Sequence, residues 1–184
     1  MSQDVAAAVR PRWRRRLRIA LLVLGVLLVA LVIETVVFFI DPSTGHVDRP
    51  QAVVVLDGYG NRIARGELLA RQQHVVDLVV SDPPYAVCPP ATSRMKVYCF
   101  HPHPVSTQGE ARAVAALARK HHWTRLLVVA GTTQVVRARL RLERCYSGQM
   151  AFSGVDPSGF LSWVYEISYD EVSMVKALVW QTGC

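Results

Sequence analysis

An apolar run near the N-terminus constrains this chain more than any other feature. From Ile19 to Ile33 every residue is apolar or glycine; Glu34 and Thr35 interrupt, and Val36 to Ile40 resume the run. As a helix, residues 17–40 are long enough to cross a hydrocarbon core of about 30 Å. Glu34 is costly at mid-bilayer but falls in the outer half of the segment, where an interfacial position is tolerable. Arg10, Arg12, Arg14, Arg15, Arg16 and Arg18 lie before or at the start of the run. This asymmetry predicts a cytoplasmic segment at residues 1–16, a transmembrane helix at 17–40, and an extracytoplasmic remainder. A cleaved signal peptide and a buried core helix are the rival readings. The length of the run and the lack of a clear Ala-x-Ala site favour the anchor.

The basic cluster also accounts for much of the formal net charge of +7. Beyond residue 50 there are 14 Lys and Arg against 10 Asp and Glu, an excess of only four. The cations therefore mark a membrane flank, and nucleic acid is not an expected partner. The membrane itself is the first partner that the sequence implies.

Cys88, Cys99, Cys145 and Cys184 all follow the anchor. An even number of cysteines in an oxidising compartment predicts disulfides. Cys88 and Cys99 flank a Pro-rich loop and are the favoured pair, which leaves Cys145 for Cys184. A zinc site using His101 and His103 beside Cys99 fits no structural spacing well, and no metal is expected.

Residues 41–50 are polar, with Pro42, Gly45 and Pro50, and read as a linker. Beyond it, residues 51–184 alternate between short Val-rich runs and helical stretches. The expected strands are 51–56, 75–81, 97–100 and 125–130, with a last short one around Phe152 and Val155. The expected helices are 63–73, 109–119, 134–146 and 169–180. Thr107 and Glu110 have the spacing of a capping box, with Thr107 as N-cap. Nearly continuous apolar strands separated by helices predict an α/β domain: a Rossmann-like, three-layer arrangement around a parallel sheet, preceded by one transmembrane helix.

Such sheets bind ligands beyond the C-terminal ends of their strands. That rule selects the candidate residues. Asp57 leaves the first strand, beside Gly58 and Gly60, as a base, a ligand acceptor, or the carboxylate of an Asx turn. The two glycines would let backbone amides approach an anion. The third glycine of a dinucleotide fingerprint is absent, and the sequence specifies no cofactor. Arg62 and Arg137 are candidate clamps for a phosphate or carboxylate. Arg141 and Arg144 share the face of Arg137 farther along, where surface or salt-bridge roles are expected. Ser81 and Thr107 are candidate hydrogen-bonding groups, and Gly131 and Gln134 open a helix whose first amides suit an anion. Glu110 is the best carboxylate for acid–base work, with Asp57 as its catalytic companion.

The same residues carry a family resemblance. Val53-Val54-Val55-Leu56 leads into a Gly-rich turn and Arg62. Leu78-Val79-Val80-Ser81 ends the second strand. Ser106-Thr107-x-Gly109-Glu110-Ala111 opens a helix. Val128-Val129-Ala130-Gly131 is followed by Arg137-Ala138 and Arg144-Cys145. In this order the set resembles the DUF218 family, also called YdcF-like or SanA-like, over residues 50–146. The Arg- and Ala-rich, Lys-poor composition resembles an actinobacterial branch. The resemblance implies a Rossmann-like domain behind one transmembrane helix, a role in the cell envelope, and a cell-wall or lipid-linked precursor as partner. The chain departs from the family where a His usually precedes the Arg-Ala pair. Gln134 stands there, and an amide can hydrogen-bond but cannot titrate. Three function classes follow: an envelope enzyme acting on an anionic ligand, a non-catalytic envelope scaffold with a degenerate site, and a cofactor-binding α/β protein.

Overall fold

The computed structural model describes residues 12–82 and 88–184 in two compact units, the first ending at Thr35 and the second beginning at Val36. The first unit is one helix, α1 (Arg12–Thr35). With the π-helical turn Val36–Ile40 it forms an apolar stretch, Trp13–Ile40, of mean hydropathy 2.9, long and apolar enough to cross a membrane. Its large apolar side chains are exposed along the whole length of the helix.

The second unit is an α/β domain with a five-stranded sheet. The strands are β1 (Ala52–Val55), β2 (Asp77–Ser81), β3 (Lys96–Phe100), β4 (Arg125–Gly131) and β5 (Gln149–Val155). Their order is β3-β2-β1-β4-β5, and every pairing is parallel. The Val-rich strands behave as expected of a sheet covered on both faces. Val53, Val55, Leu78, Val80 and Val129 pack with Leu69 and Ala70 of α2 (Arg62–Gln72). Val54, Leu56, Val79, Leu126 and Val128 meet the opposite layer, α3 (Thr107–His121) and α4 (Val135–Cys145), through Val114, Ala138 and Leu142. Burying each Val or Leu side chain of this kind contributes about 1.5–3 kcal/mol.

The start of α3 differs from the expected capping box. Ser106 is the N-cap, and its Oγ accepts a hydrogen bond from the Gly109 amide at 3.3 Å. Thr107 is already helical. That shift of one residue turns Thr107 and Glu110 inward, where both are buried. The closing helix α5 (Phe160–Val179) begins well ahead of the expected Tyr169. Both disulfides pair as expected, Cys88–Cys99 and Cys145–Cys184.

The stretch expected to be a linker is part of the domain. Just before it, at the end of the span expected to be transmembrane, Phe39 is 3% exposed, and the turn that carries it packs against the 3-10 turn Thr132–Gln134 at the end of β4. From there the chain runs toward the other end of the sheet. The Ser43 carbonyl accepts from Arg139 Nη2 at 2.6 Å, and the Thr44 carbonyl accepts from the Phe152 amide of β5 at 2.7 Å. The Gln51 amide donates to the Arg125 carbonyl at 2.9 Å just before β1. A free tether would make none of these bonds.

Candidate functional site

The sheet changes direction between β1 and β4: β2 and β3 extend it one way, β5 the other. At such a switch point the loops leaving adjacent strands diverge, and a crevice opens beyond their C-terminal ends. A cavity of about 450 Å³ lies there, roofed by α5.

Arg62 forms one wall. It is the first residue of α2, yet only 6% exposed. Its Nε donates to the Tyr59 carbonyl at 2.8 Å, and its Nη1 donates to the Asp57 carbonyl at 2.5 Å and to Gln134 Oε1 at 2.6 Å. Gly58, at φ +140°, and Gly131 leave room for the guanidinium; a Cβ at either position would run into it. Gly60 shares the exposed turn with Gly58. Burial pulls the Arg62 guanidinium below its ordinary pKa, and the charges of Glu110 and Glu166 push it back. The side chain thus ties the β1 exit to the 3-10 turn after β4.

A second network lies beside it. Arg137 donates to Asp170 Oδ1 from Nε at 2.9 Å and from Nη2 at 2.6 Å, and to Thr107 Oγ1 from Nη1 at 2.6 Å. Gln134 Nε2 donates to the same threonine oxygen at 3.3 Å. The Arg137 guanidinium also sits 5.8 Å from the centroid of the Tyr169 ring. Gln134 therefore accepts from Arg62 at one end and donates at the other to the threonine that Arg137 also holds, a role that needs an amide with one acceptor and one donor.

The acids occupy contrasting environments. Glu110 is 3% exposed and accepts from the Asp57 amide at 2.7 Å. Burial pushes its carboxyl up to about 7, with a smaller push from the Asp57 charge and an opposing pull from Arg137. Ser81, buried at the end of β2, also favours the charged form, although its hydroxyl lacks a partner in good hydrogen-bonding geometry. Asp57 is exposed, and its carboxylate accepts no hydrogen bond from the described residues, so the anticipated Asx turn does not form. Glu166 is raised by burial first and by Asp170 second.

The raised Glu110 carboxyl has a thermodynamic consequence. Its folded pKa of about 7 lies above an unfolded value near 4.5. Between these values the folded chain holds the proton more tightly. This contribution is fully present below about pH 4.5 and is lost as pH rises through 7. The loss amounts to about 3 kcal/mol, at 1.36 kcal/mol per pK unit. Urea unfolding at pH 5 and pH 8 should show it as a drop in midpoint that is absent from Glu110→Gln. Equal drops in both proteins would assign the pH dependence to other groups.

Among the cavity residues that were not expected, the C-terminal part of the chain supplies Glu166, Tyr169, Asp170 and Lys176 of α5 and, just beyond the helix, Gln181. Their one signal in the sequence is a polar stripe. Glu166, Asp170, Ser173 and Gln181 fall on one side of a helical period within an otherwise apolar segment. Arg141 also departs from the expected surface position. It is 3% exposed and holds Gln181 by its backbone carbonyl and, at 2.6 Å, by its Oε1. Arg144 Nη1 reaches the Ala177 and Gln181 carbonyls, each at 2.9 Å.

His101 and His103 are exposed and stand apart from this cluster; a ring nitrogen of His101 bonds the Asp82 carbonyl. The disulfide occupies Cys99, which removes the thiolate that a zinc site there would need. Among the described residues no group of three His, Cys, Asp or Glu could hold a metal ion. Compared with protein-family profiles, curated proteins and solved structures, the chain matches none.

Proposed function

We propose that this chain is a membrane-anchored envelope protein of the DUF218, YdcF-like type. Its cleft binds an anionic ligand, phosphorylated or lipid-linked, and carries out hydrolysis or group transfer on it. The basic flank of α1 favours a cytoplasmic N-terminus, and two disulfides suit an oxidising compartment outside. The observation that carries the reading is the pair of acids at the switch point. Glu110 is buried and pushed up to about 7, while Asp57 beside it is exposed. Carboxyl groups whose surroundings set them apart in this way suit an acid and a base working in one site. In this reading protonated Glu110 donates to a leaving oxygen, and Asp57 accepts a proton from the attacking hydroxyl or water. Arg62, Arg137, Arg141 and Lys176 line the same cavity and supply positive charge for an anion. Lys176 is exposed, and its amine makes no hydrogen bond to the described residues.

A second reading, a non-catalytic envelope binding protein, has its own support. The donors that Arg62 and Arg137 direct inward are already taken by Tyr59, Asp57, Gln134, Thr107 and Asp170. Gln134, where the family has a titrating His, serves as a structural bridge.

Calorimetric titration of the full chain with hexose phosphates and a lipid pyrophosphate, followed by product analysis, separates these readings. An enzyme should turn over at least one of them. Glu110→Gln should lower that rate by roughly 10²–10⁴-fold while the ligand still binds, the range for losing a general acid or base. Binding without turnover selects the binding protein. No binding at all would overturn both.

A further inference from the structure

The helix that roofs the cleft carries a long apolar face on its outer side. Of its residues, Asp170 and Ala177 are the ones fully buried. The side facing the domain is mixed: partly buried Trp163, Ile167 and Met174 accompany Ala177, while Glu166, Asp170, Ser173 and, past the helix end, Gln181 border the cavity. The opposite stripe is mostly apolar and bare, interrupted by exposed Ser168 and Glu171. Leu161 is 81% exposed and Val172 72%, with Phe160, Val164, Val175 and Val179 exposed among them. Twenty residues of helix extend about 30 Å at 1.5 Å per residue. A soluble domain rarely presents so long an apolar face to water, and such faces mark a binding surface.

Chain connectivity identifies what covers it. The domain begins at Val36, directly after the apolar helix α1, with no free linker between them. Its first turn, Val36–Ile40, packs on Thr132–Gln134, and α5 packs on that same 3-10 turn. The bare face and the anchor's attachment point therefore share one edge of the domain, the edge at which the cleft opens. Trp180 is exposed at the end of α5, and an aromatic ring of this kind favours the headgroup level of a bilayer.

We infer that the outward face of α5 lies in the bilayer interface and seats the cleft at the membrane surface. The helix then works as an interfacial element, apolar side in lipid and polar side lining the site. A ligand reaching the cavity comes from the headgroup layer, not from bulk solvent. The inference rests on the anchor reading and does not depend on whether the cleft is catalytic.

The test is spin-label accessibility on the full chain in nanodiscs of phosphatidylcholine and phosphatidylglycerol. Labels are placed singly at Val172→Cys, Val175→Cys, Leu27→Cys in the anchor, and His46→Cys on the exposed segment before β1. Circular dichroism confirms that each variant is folded. If α5 is seated in lipid, the ratio of oxygen to nickel-chelate accessibility exceeds one at 172 and 175, as it does at 27, and falls below one at 46. A ratio below one at 172 and 175, with 27 still lipid-exposed, overturns the seat while leaving the anchor intact. A ratio below one at 27 as well overturns the anchor reading itself. Dipolar broadening between labels at 172 or 175 would show a second copy on this face and would also overturn the proposal.

Discussion

Replacing Arg137 with alanine is expected to destabilise the domain by roughly 3–5 kcal/mol, the range for breaking a buried ion pair by removing one partner. Arg137 and Asp170 have side chains 11% and 2% exposed, and the arginine is the partner that compensates the aspartate. Without it Asp170 would have to ionise in an apolar setting or bind a proton, and Thr107 would lose its 2.6 Å donor. Urea unfolding of the chain in detergent micelles, following the domain signal, measures the change. The paired substitution Arg137→Met with Asp170→Leu should recover much of the loss, because no uncompensated charge remains. If the double variant is no better than the single one, Arg137 acts mainly through Thr107 and Tyr169. A loss below about 1 kcal/mol in the single variant would mean that the pair is solvated like a surface salt bridge.

Removing the Cys145–Cys184 disulfide by serine substitution at both positions is expected to cost about 4 kcal/mol, from the chain entropy of closing a loop of this length. The cysteines are 39 residues apart. The Cys88–Cys99 bridge, separated by 11 residues, should contribute less, about 3 kcal/mol. The two bridges also act in different places. Cys145–Cys184 ties α4 to the segment after α5, beside the bonds from Arg141 and Arg144 to Gln181. Losing it should raise amide exchange in α5 ahead of the sheet. Unchanged exchange in α5 would mean that the arginines hold the helix without the disulfide.

The sheet was legible because burial on both faces leaves a direct mark in composition. Val53 to Leu56 and Leu78 to Val80 are apolar without alternation, and each became a buried central strand. The site was partly legible for a related reason: parallel strands bring their C-terminal exits together. Asp57, Arg62, Thr107, Glu110, Gln134 and Arg137 indeed border one cavity. The partners of these residues could not be read. That Arg62 spends its donors on two backbone carbonyls and Gln134 depends on tertiary placement, not on local pattern. The first turns of α5 were missed because Phe160, Leu161, Trp163 and Val164 do not show the polar-outward alternation of a soluble surface helix. The cap of α3 was misplaced by one residue because Ser106 and Thr107 are both good N-cap types.

The segment between α1 and β1 bears on how this domain avoids self-association. β5 is an outer strand of the sheet, and an outer strand with open amides and carbonyls is a template for another chain. The Phe152 amide, in the middle of that strand, already donates to Thr44, and Gly45 lies against Met150 and Ala151. Residues 43–45 block the middle of this rim, held there by the bonds that Arg139 and Phe152 donate to the Ser43 and Thr44 carbonyls.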